Sequence, residues 1–408
     1  MLVIHSELPP PLMRAAPHPW ITALAGLTAL VVAMGIGRFI YAPLLPMMQH
    51  DAGLSIVEGG WLASANYLGY LAGALSCMWI HVTGERMIRA GLAVTALLAF
   101  TMGVTHNFTA WLILRTLAGI ASAWVLVFSS AWSLRQLEAA RRPDLASIVF
   151  SGPGVGIFAS GLLVILLTLR QASADTGWRL SGAIALALTV LIWPAFSTGV
   201  TQDPAAPRAA RPRMRWSRAA VNLVACYGVA GFGYIIPATF LPLIARETIH
   251  DPILLALFWP IFGLAVMIVC AGMLYLPGHV NNRKALAACF TLQAIGNVCL
   301  AVFPDAIGLA VGTALVGGVF TIIVQFTMRE ARLLAGEAAS VLMGALTAVY
   351  GIGQIAGPPF ASLLVHRFGS FTPSLLAAAL ILQFAALALY WKPVDQPLRT
   401  PGEANALR

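Results

Sequence analysis

Apolar residues fall along this chain in long runs, broken by short stretches rich in charge, Gly or Pro. The runs lie at about 20–48, 56–80, 88–105, 108–134, 145–169, 178–200, 219–245, 252–276, 285–303, 306–328, 338–365 and 372–391. A helix needs roughly 20 mostly apolar residues to cross a hydrocarbon core. Twelve such runs predict an all-α membrane protein with twelve transmembrane helices. The first run is too long for the apolar part of a cleaved signal and is expected to remain as the first span.

The charges between the runs check that count independently. Lys and Arg are retained on the cytoplasmic side of a membrane protein. With the N-terminus in the cytoplasm, basic residues gather in alternate connections: Arg86 and Arg89, then Arg135, Arg141 and Arg142, then five arginines between 208 and 218, then Arg283 and Lys284, then Arg329 and Arg332. The other connections hold only Arg170, Arg179, Arg246 and Arg367. The longest connection, TQDPAAPRAARPRMRWSR at 201–218, divides six runs from six. The expected organisation is a cytoplasmic N-terminal tail (1–19), a first six-helix bundle (20–200), a basic cytoplasmic linker (201–218), a second six-helix bundle (219–391) and a cytoplasmic C-terminal tail (392–408).

Composition narrows the function. Of 408 residues, 59% are hydrophobic and 10% charged, with a mean hydropathy of +0.85. A soluble domain carries about 25% charged residues, so a water-soluble enzyme is excluded, and a chain this apolar is not disordered. The net charge of +9 is accounted for by the cytoplasmic loops and calls for no nucleic acid. The expected partners are the lipid bilayer and a small-molecule substrate, with the chain acting as a monomer. The five cysteines lie inside apolar runs without a C-x-x-C. They imply neither a disulfide nor a metal framework, and no cofactor is expected.

The two halves echo one another. Residues 35–48 read GIGRFIYAPLLPMM and residues 231–244 read GFGYIIPATFLPLI. Gly35, Gly37 and Pro46 align with Gly231, Gly233 and Pro242 without a gap. A second echo pairs Gly152-Pro153 and Phe158-Ala159-Ser160 in the fifth run with Gly357-Pro358 and Phe360-Ala361-Ser362 in the eleventh. A separation of six spans preserves helix direction, so the bundles are expected to be parallel repeats about an axis along the membrane normal. Pro43, Pro46, Pro237 and Pro242, with the nearby glycines, are expected to let the first and seventh spans bend.

With these features the chain resembles the major facilitator superfamily. Within it, GIGRFIYAPLLPMM followed by LASANYLGYLAGAL (62–75) resembles the YbfB/YjiJ-like branch of bacterial transporters. Arg115-x-x-x-Gly119 is similar to the superfamily's fourth-span arginine motif, and Gly152-Pro153-x-x-Gly156 to its fifth-span glycine/proline motif. The acid–arginine motif between spans 2 and 3 survives only as Gly84-Glu85-Arg86 and Arg89. The resemblance implies a major facilitator fold and alternating access in a bacterial inner membrane.

A charge within the hydrocarbon is costly and marks function by default. Every acid and histidine falls in a predicted loop or at a span end, whereas Arg38 and Arg115 lie inside spans. Guanidinium groups offer planar, bidentate recognition of carboxylate or phosphate. Both arginines are therefore candidates for substrate binding or coupling, with bonding to carbonyls at a broken helix end as the structural alternative. Asn66 and Tyr70 are i,i+4 in span 2. Thr321 and Gln325 are i,i+4 in span 10, and Thr347, Tyr350 and Gln354 share a face of span 11. Tyr234 occupies the repeat position of Arg38. Asn66, Tyr70, Tyr234, Gln325, Tyr350 and Gln354 are candidates to line the cavity. Gly35, Gly37, Pro46, Gly119, Gly152, Pro153, Gly156, Pro242, Gly353 and Gly357 are candidates for close helix packing or gating.

Two G-x-G-x-x-A matches, at 154–159 and 351–356, lack the βαβ context of dinucleotide binding. Ser160 has no base within a span to activate it. Trp20, Trp61, Trp111, Trp178, Trp259 and Trp391 are expected in an interfacial aromatic belt. The reading is a secondary active transporter, for a small organic anion if the two arginines meet substrate. The alternatives are efflux of amphipathic compounds and, from another class, a non-transporting sensor or scaffold.

Overall fold

The structure is a computed structural model that describes residues 18–80, 82–197, 214, 216–273 and 280–391. Residues 1–17 of the N-terminal tail, the C-terminal tail and most of the 201–218 linker lie outside those residues. The described residues form helices and no strand. The helices are α1 (Pro19–Ala52), α2 (Ile56–Ser76), α3 (Gly84–Met102), α4 (Phe108–Ala139), α5 (Pro143–Leu169) and α6 (Ala174–Phe196). After the linker come α7 (Arg218–Arg246), α8 (Pro252–Gly272), α9 (Asn282–Val302), α10 (Ala306–Ala335), α11 (Ala339–Phe368) and α12 (Thr372–Trp391). Ten are long and apolar enough to cross a membrane by themselves. The other two are α2, which carries Glu58, Asn66, Tyr67 and Tyr70, and α3, which opens on Glu85, Arg86 and Arg89.

Helix starts are fixed locally. Ser55 and Glu58 form a reciprocal capping box at α2, and Ser173, Ser217, Asp251 and Asp305 accept amide hydrogens at α6, α7, α8 and α10. Each satisfies donors that a helix leaves open in its first turn. The face where α1 starts is here called the near face, and the face where it ends the far face.

Small residues set the distances between helices. A Cβ on Gly35 of α1 would lie 2.6 Å from the Cα of Gly156 on α5, so the two backbones touch. Gly119 on α4 sits against the Asn66 carbonyl and the Tyr70 amide of α2. Gly353 and Gly357 bring α11 onto α7 in the same way, and Gly152 packs on Leu30. The halves meet most extensively along two seams, α2 with α11 and α5 with α8.

Two expectations change. Trp20 and Trp61 are exposed, but Trp111, Trp178 and Trp259 are buried. Their indole N–H groups find partners inside, on the Met102 carbonyl (3.1 Å), the Met48 sulfur (3.4 Å) and the Ser160 hydroxyl (3.1 Å). These three tie helices together instead of forming a belt. In addition, α10 runs seven residues past its apolar run and buries Glu330 in its last turns, where Asn282 Nδ2 donates to it at 3.4 Å.

The Gly35–Gly156 contact leaves no room for a side chain. Gly156→Val is expected to destabilise the fold by about 1–3 kcal/mol or more, the usual cost of overpacking, read as a lower unfolding midpoint of the purified protein. An unchanged midpoint would contradict the contact.

Candidate functional site

Midway along the bundle, α1 leaves α-helical register. Val31–Phe39 is a π-helix in which the Ile40 amide donates to the Gly35 carbonyl at 2.8 Å. Such segments are rare and gather at functional sites. Just beyond it stands Pro43, which has no N–H to give, and side chains reach the carbonyls of Gly37 and Arg38. Asn66 Nδ2 donates to the Gly37 carbonyl at 3.3 Å and to the Arg115 carbonyl at 3.0 Å. Arg115 Nη1 and Nη2 reach the carbonyls of Gly37 and Arg38 at 3.5 and 3.4 Å, and its guanidinium lies 4.5 Å over the Tyr41 ring.

The other half solves the same problem with a different helix. Pro237 cannot donate to the Gly233 carbonyl four residues earlier. Asn297 on α9 does so at 3.2 Å. Gly37 and Gly233 are repeat equivalents, so both first helices have a mid-helix carbonyl capped by an asparagine amide.

Arg38 projects from the π segment toward the other half. Its Nη2 donates to Gln354 Oε1 on α11 at 2.6 Å, and Gln354 Nε2 donates to the Tyr234 hydroxyl on α7 at 3.1 Å. The guanidinium lies 4.2 Å from the Tyr70 ring centre and 5.0 Å from that of Tyr67. Contacts of this kind contribute ~0.5–2 kcal/mol each. Tyr234 stacks on Phe320 at 5.2 Å and Tyr350 at 5.9 Å, and Tyr350 stacks on Tyr227 at 4.4 Å. Arg38 and Arg115 are 5% and 2% exposed, and among the described residues neither forms an ion pair. The Nε of each is buried without a partner.

The predicted residues thus separate into layers. Arg38, Tyr70, Tyr234, Tyr350 and Gln354 meet in one cluster spanning both halves. Asn66 and Arg115 lie behind it, holding the broken backbone of α1. Gln325 is half-buried on α10, five residues beyond Phe320 toward the near face, and is not brought into the cluster. Gly37 faces Thr95 and Ser122, while Pro46 and Pro242 line a separate far-face cleft. Three participants went unnoticed in the sequence. Tyr67 lies under Arg38 and bonds Thr239 across the halves at 3.0 Å. Asn297 was discoverable, since Pro237 exposes the carbonyl it caps.

Comparison with known proteins agrees with this architecture. A family described as "Uncharacterised MFS-type transporter YbfB" matches residues 30–390. A chloramphenicol resistance protein of Streptomyces lividans is 25% identical over 407 residues, covering 94% of this chain and 98% of that one. An uncharacterised MFS-type transporter, YceJ of Bacillus subtilis, is 29% identical over 102 residues, covering 24% of this chain and 25% of that one. The nucleoside transporter NupG has the same fold, with a TM-score of 0.71, 12% identity, and coverage of 92% of this chain and 99% of that one. A point mutant of that transporter gives 0.73 at 13% identity, covering 90% and 99%.

Removing Arg115 leaves Asn66 on the Gly37 carbonyl but takes the side-chain donor from the buried Arg38 carbonyl, at about 1–3 kcal/mol. Arg115→Met is therefore expected to lower the unfolding midpoint clearly, and more than Arg38→Met does. Equal midpoints for wild type and Arg115→Met would contradict the backbone role.

Proposed function

Because the chain belongs to the YbfB-like family of major facilitator transporters, we propose that it exports small amphipathic aromatic compounds carrying a strong hydrogen-bond acceptor, by alternating access. The family makes it a multi-pass membrane transporter, and the sensor or scaffold expectation goes no further. The observation that carries the reading is the bond from Arg38 to Gln354. It ties α1 of one half to α11 of the other, and it lies against a ladder of stacked rings. A carboxylate or comparable acceptor on a substrate binds a guanidinium more strongly than a neutral amide does. Such a substrate displaces Gln354 from Arg38 while its ring enters the stack of Tyr70, Tyr234 and Tyr350.

That exchange breaks one link between the halves and couples binding to their relative movement. A ligand shifts an equilibrium only through unequal affinity for the two states, and the Arg38–Gln354 bond supplies such an inequality. The relative named for chloramphenicol resistance supports export. In our reading the near face is cytoplasmic, a side supported by its Arg86, Arg89, Arg135, Arg283 and Arg329, and both termini are on the cytoplasmic side of a bacterial inner membrane.

A second reading, transport of simple organic anions without a ring, is favoured by the two buried guanidinium groups that form no ion pair among the described residues. Arg38 alone points at the other half, so in either reading it meets substrate while Arg115 positions it.

Overexpression in a drug-sensitive strain is expected to raise the growth-inhibiting concentration of aromatic amphipaths, and Arg38→Ala and Arg38→Lys to remove that protection, since lysine lacks the planar fork. Gln354→Glu places a permanent carboxylate on Arg38. It is expected to cut export by about ten-fold, equivalent to ~1.4 kcal/mol, without lowering the unfolding midpoint. Full protection by Arg38→Ala would contradict the proposal. Uptake of simple carboxylates into proteoliposomes, with no protection in the growth assay, would favour the second reading.

A further inference from the structure

A cleft of about 380 Å³ opens on the far face between the two halves. Its walls are the ends of α1, α5 and α7 and the start of α8. We propose that it is a second binding site for the exported compounds, an exit site distinct from the Arg38 cluster. The proposal rests on the export reading above and adds a location to it.

The repeat shows that this opening is specific to one side of the molecule. The spacing that aligns 35–48 with 231–244 continues without a gap to pair Ser55 with Asp251, and both cap the next helix. It also pairs Gly60 with Ala256 and Ala63 with Trp259. On the α2–α11 side, Gly60 lies directly against Ser362 and the Pro358 carbonyl, and Ser362 donates to the Ile56 carbonyl at 3.3 Å. That seam is shut. On the α5–α8 side, Ala256 borders open space and Trp259 forms the floor, its indole donating to Ser160 at 3.1 Å. Below the floor the seam closes again, with Gly161 against Pro260. A bulky indole thus stands where the repeat has alanine, and the cleft opens on its far-face side.

The walls are held in place. Asp51, at the tip of α1, accepts from the Ala174 amide at the start of α6 at 2.7 Å and from His50 Nδ1 at 2.8 Å. Its repeat equivalent Glu247, at the tip of α7, accepts from the Phe371 amide at 3.0 Å and the Ser370 hydroxyl at 3.1 Å, just before α12. The first helix of each half is thus anchored to its last helix by a carboxylate in the same register. Four further carboxylates on this face do different work. Glu58, Asp251 and Asp305 cap their own helices, and Asp175 meets His106.

The chemistry of the cleft defines its occupant. Trp259, Met47, Val164 and Leu255 give it an apolar body, and its size falls in the range that holds small ligands. Both oxygens of Asp51 are engaged. Arg246 forms no ion pair within the described residues, and its guanidinium is available to an acceptor at the rim. An apolar ring with an acceptor at one end fits this arrangement, and it is the compound class that fits Arg38. Fully buried Leu44, Leu45 and Leu241 stand on α1 and α7 between the two sites.

The test is the stoichiometry of tritiated 1-naphthoate bound to the purified protein in lipid nanodiscs. Wild type is expected to bind two equivalents. Ala256→Trp, which fills the cleft, and Arg38→Gln are each expected to leave one, and the double variant none. Arg246→Gln is expected to weaken one equivalent about ten-fold and to leave the other unchanged. A stoichiometry that Ala256→Trp does not alter, zero included, overturns the exit site, as does an affinity of both equivalents that Arg246→Gln leaves unchanged. The growth assay decides the export reading separately, since protection can persist with the central site alone.

Discussion

The constraint on which the rest of this structure depends is a permanent cation in the middle of a helical bundle with no acid to meet it among the described residues. A buried guanidinium must be satisfied by something. Here the partners are neutral: an amide oxygen from the opposite half and the faces of two tyrosines. They hold Arg38 without neutralising it. A carboxylate at the same place would make a stronger and less reversible contact. An exchangeable partner suits the proposed cycle, in which a link between the halves is released and re-formed.

Placing that cation requires an irregular backbone, and the irregularity sets the roles of its neighbours. The π segment turns Arg38 toward α11, and the loss of regular bonding exposes carbonyls that Asn66 and Arg115 cover. The second half meets the same demand with Pro237 and Asn297. Both halves interrupt their first helix at the same register and repair it with an amide. Only the first half adds arginines. The backbone device is common to both copies of the repeat, whereas the charge belongs to one.

Much of the fold was legible in the sequence because its signals are long-range and redundant. Twelve apolar runs, alternating basic loops and the in-register Gly35/Gly231 and Pro46/Pro242 pairs all point to the same 6+6 arrangement. The candidate site was legible in part. Arg38 and Arg115 stand out because charge in an apolar run is rare, and Gln354 and Tyr350 because they share a helix face. The division of labour between the two arginines was not legible. It depends on a local change of helical register, which leaves no compositional trace. Trp111, Trp178 and Trp259 misled for a related reason. Position near a span end does not say which way a side chain points, and all three turn inward to find acceptors. Tyr67 was passed over because its partner Thr239 lies in the other half, a pairing that only tertiary structure reveals.

The most direct measurement is an experimental structure of the protein in lipid with a saturating transported compound. The 2.6 Å contact between Arg38 and Gln354 is expected to be broken, with the compound's acceptor on the guanidinium and its ring against Tyr70 or Tyr234. An intact Arg38–Gln354 contact with the central compound bound elsewhere would contradict it.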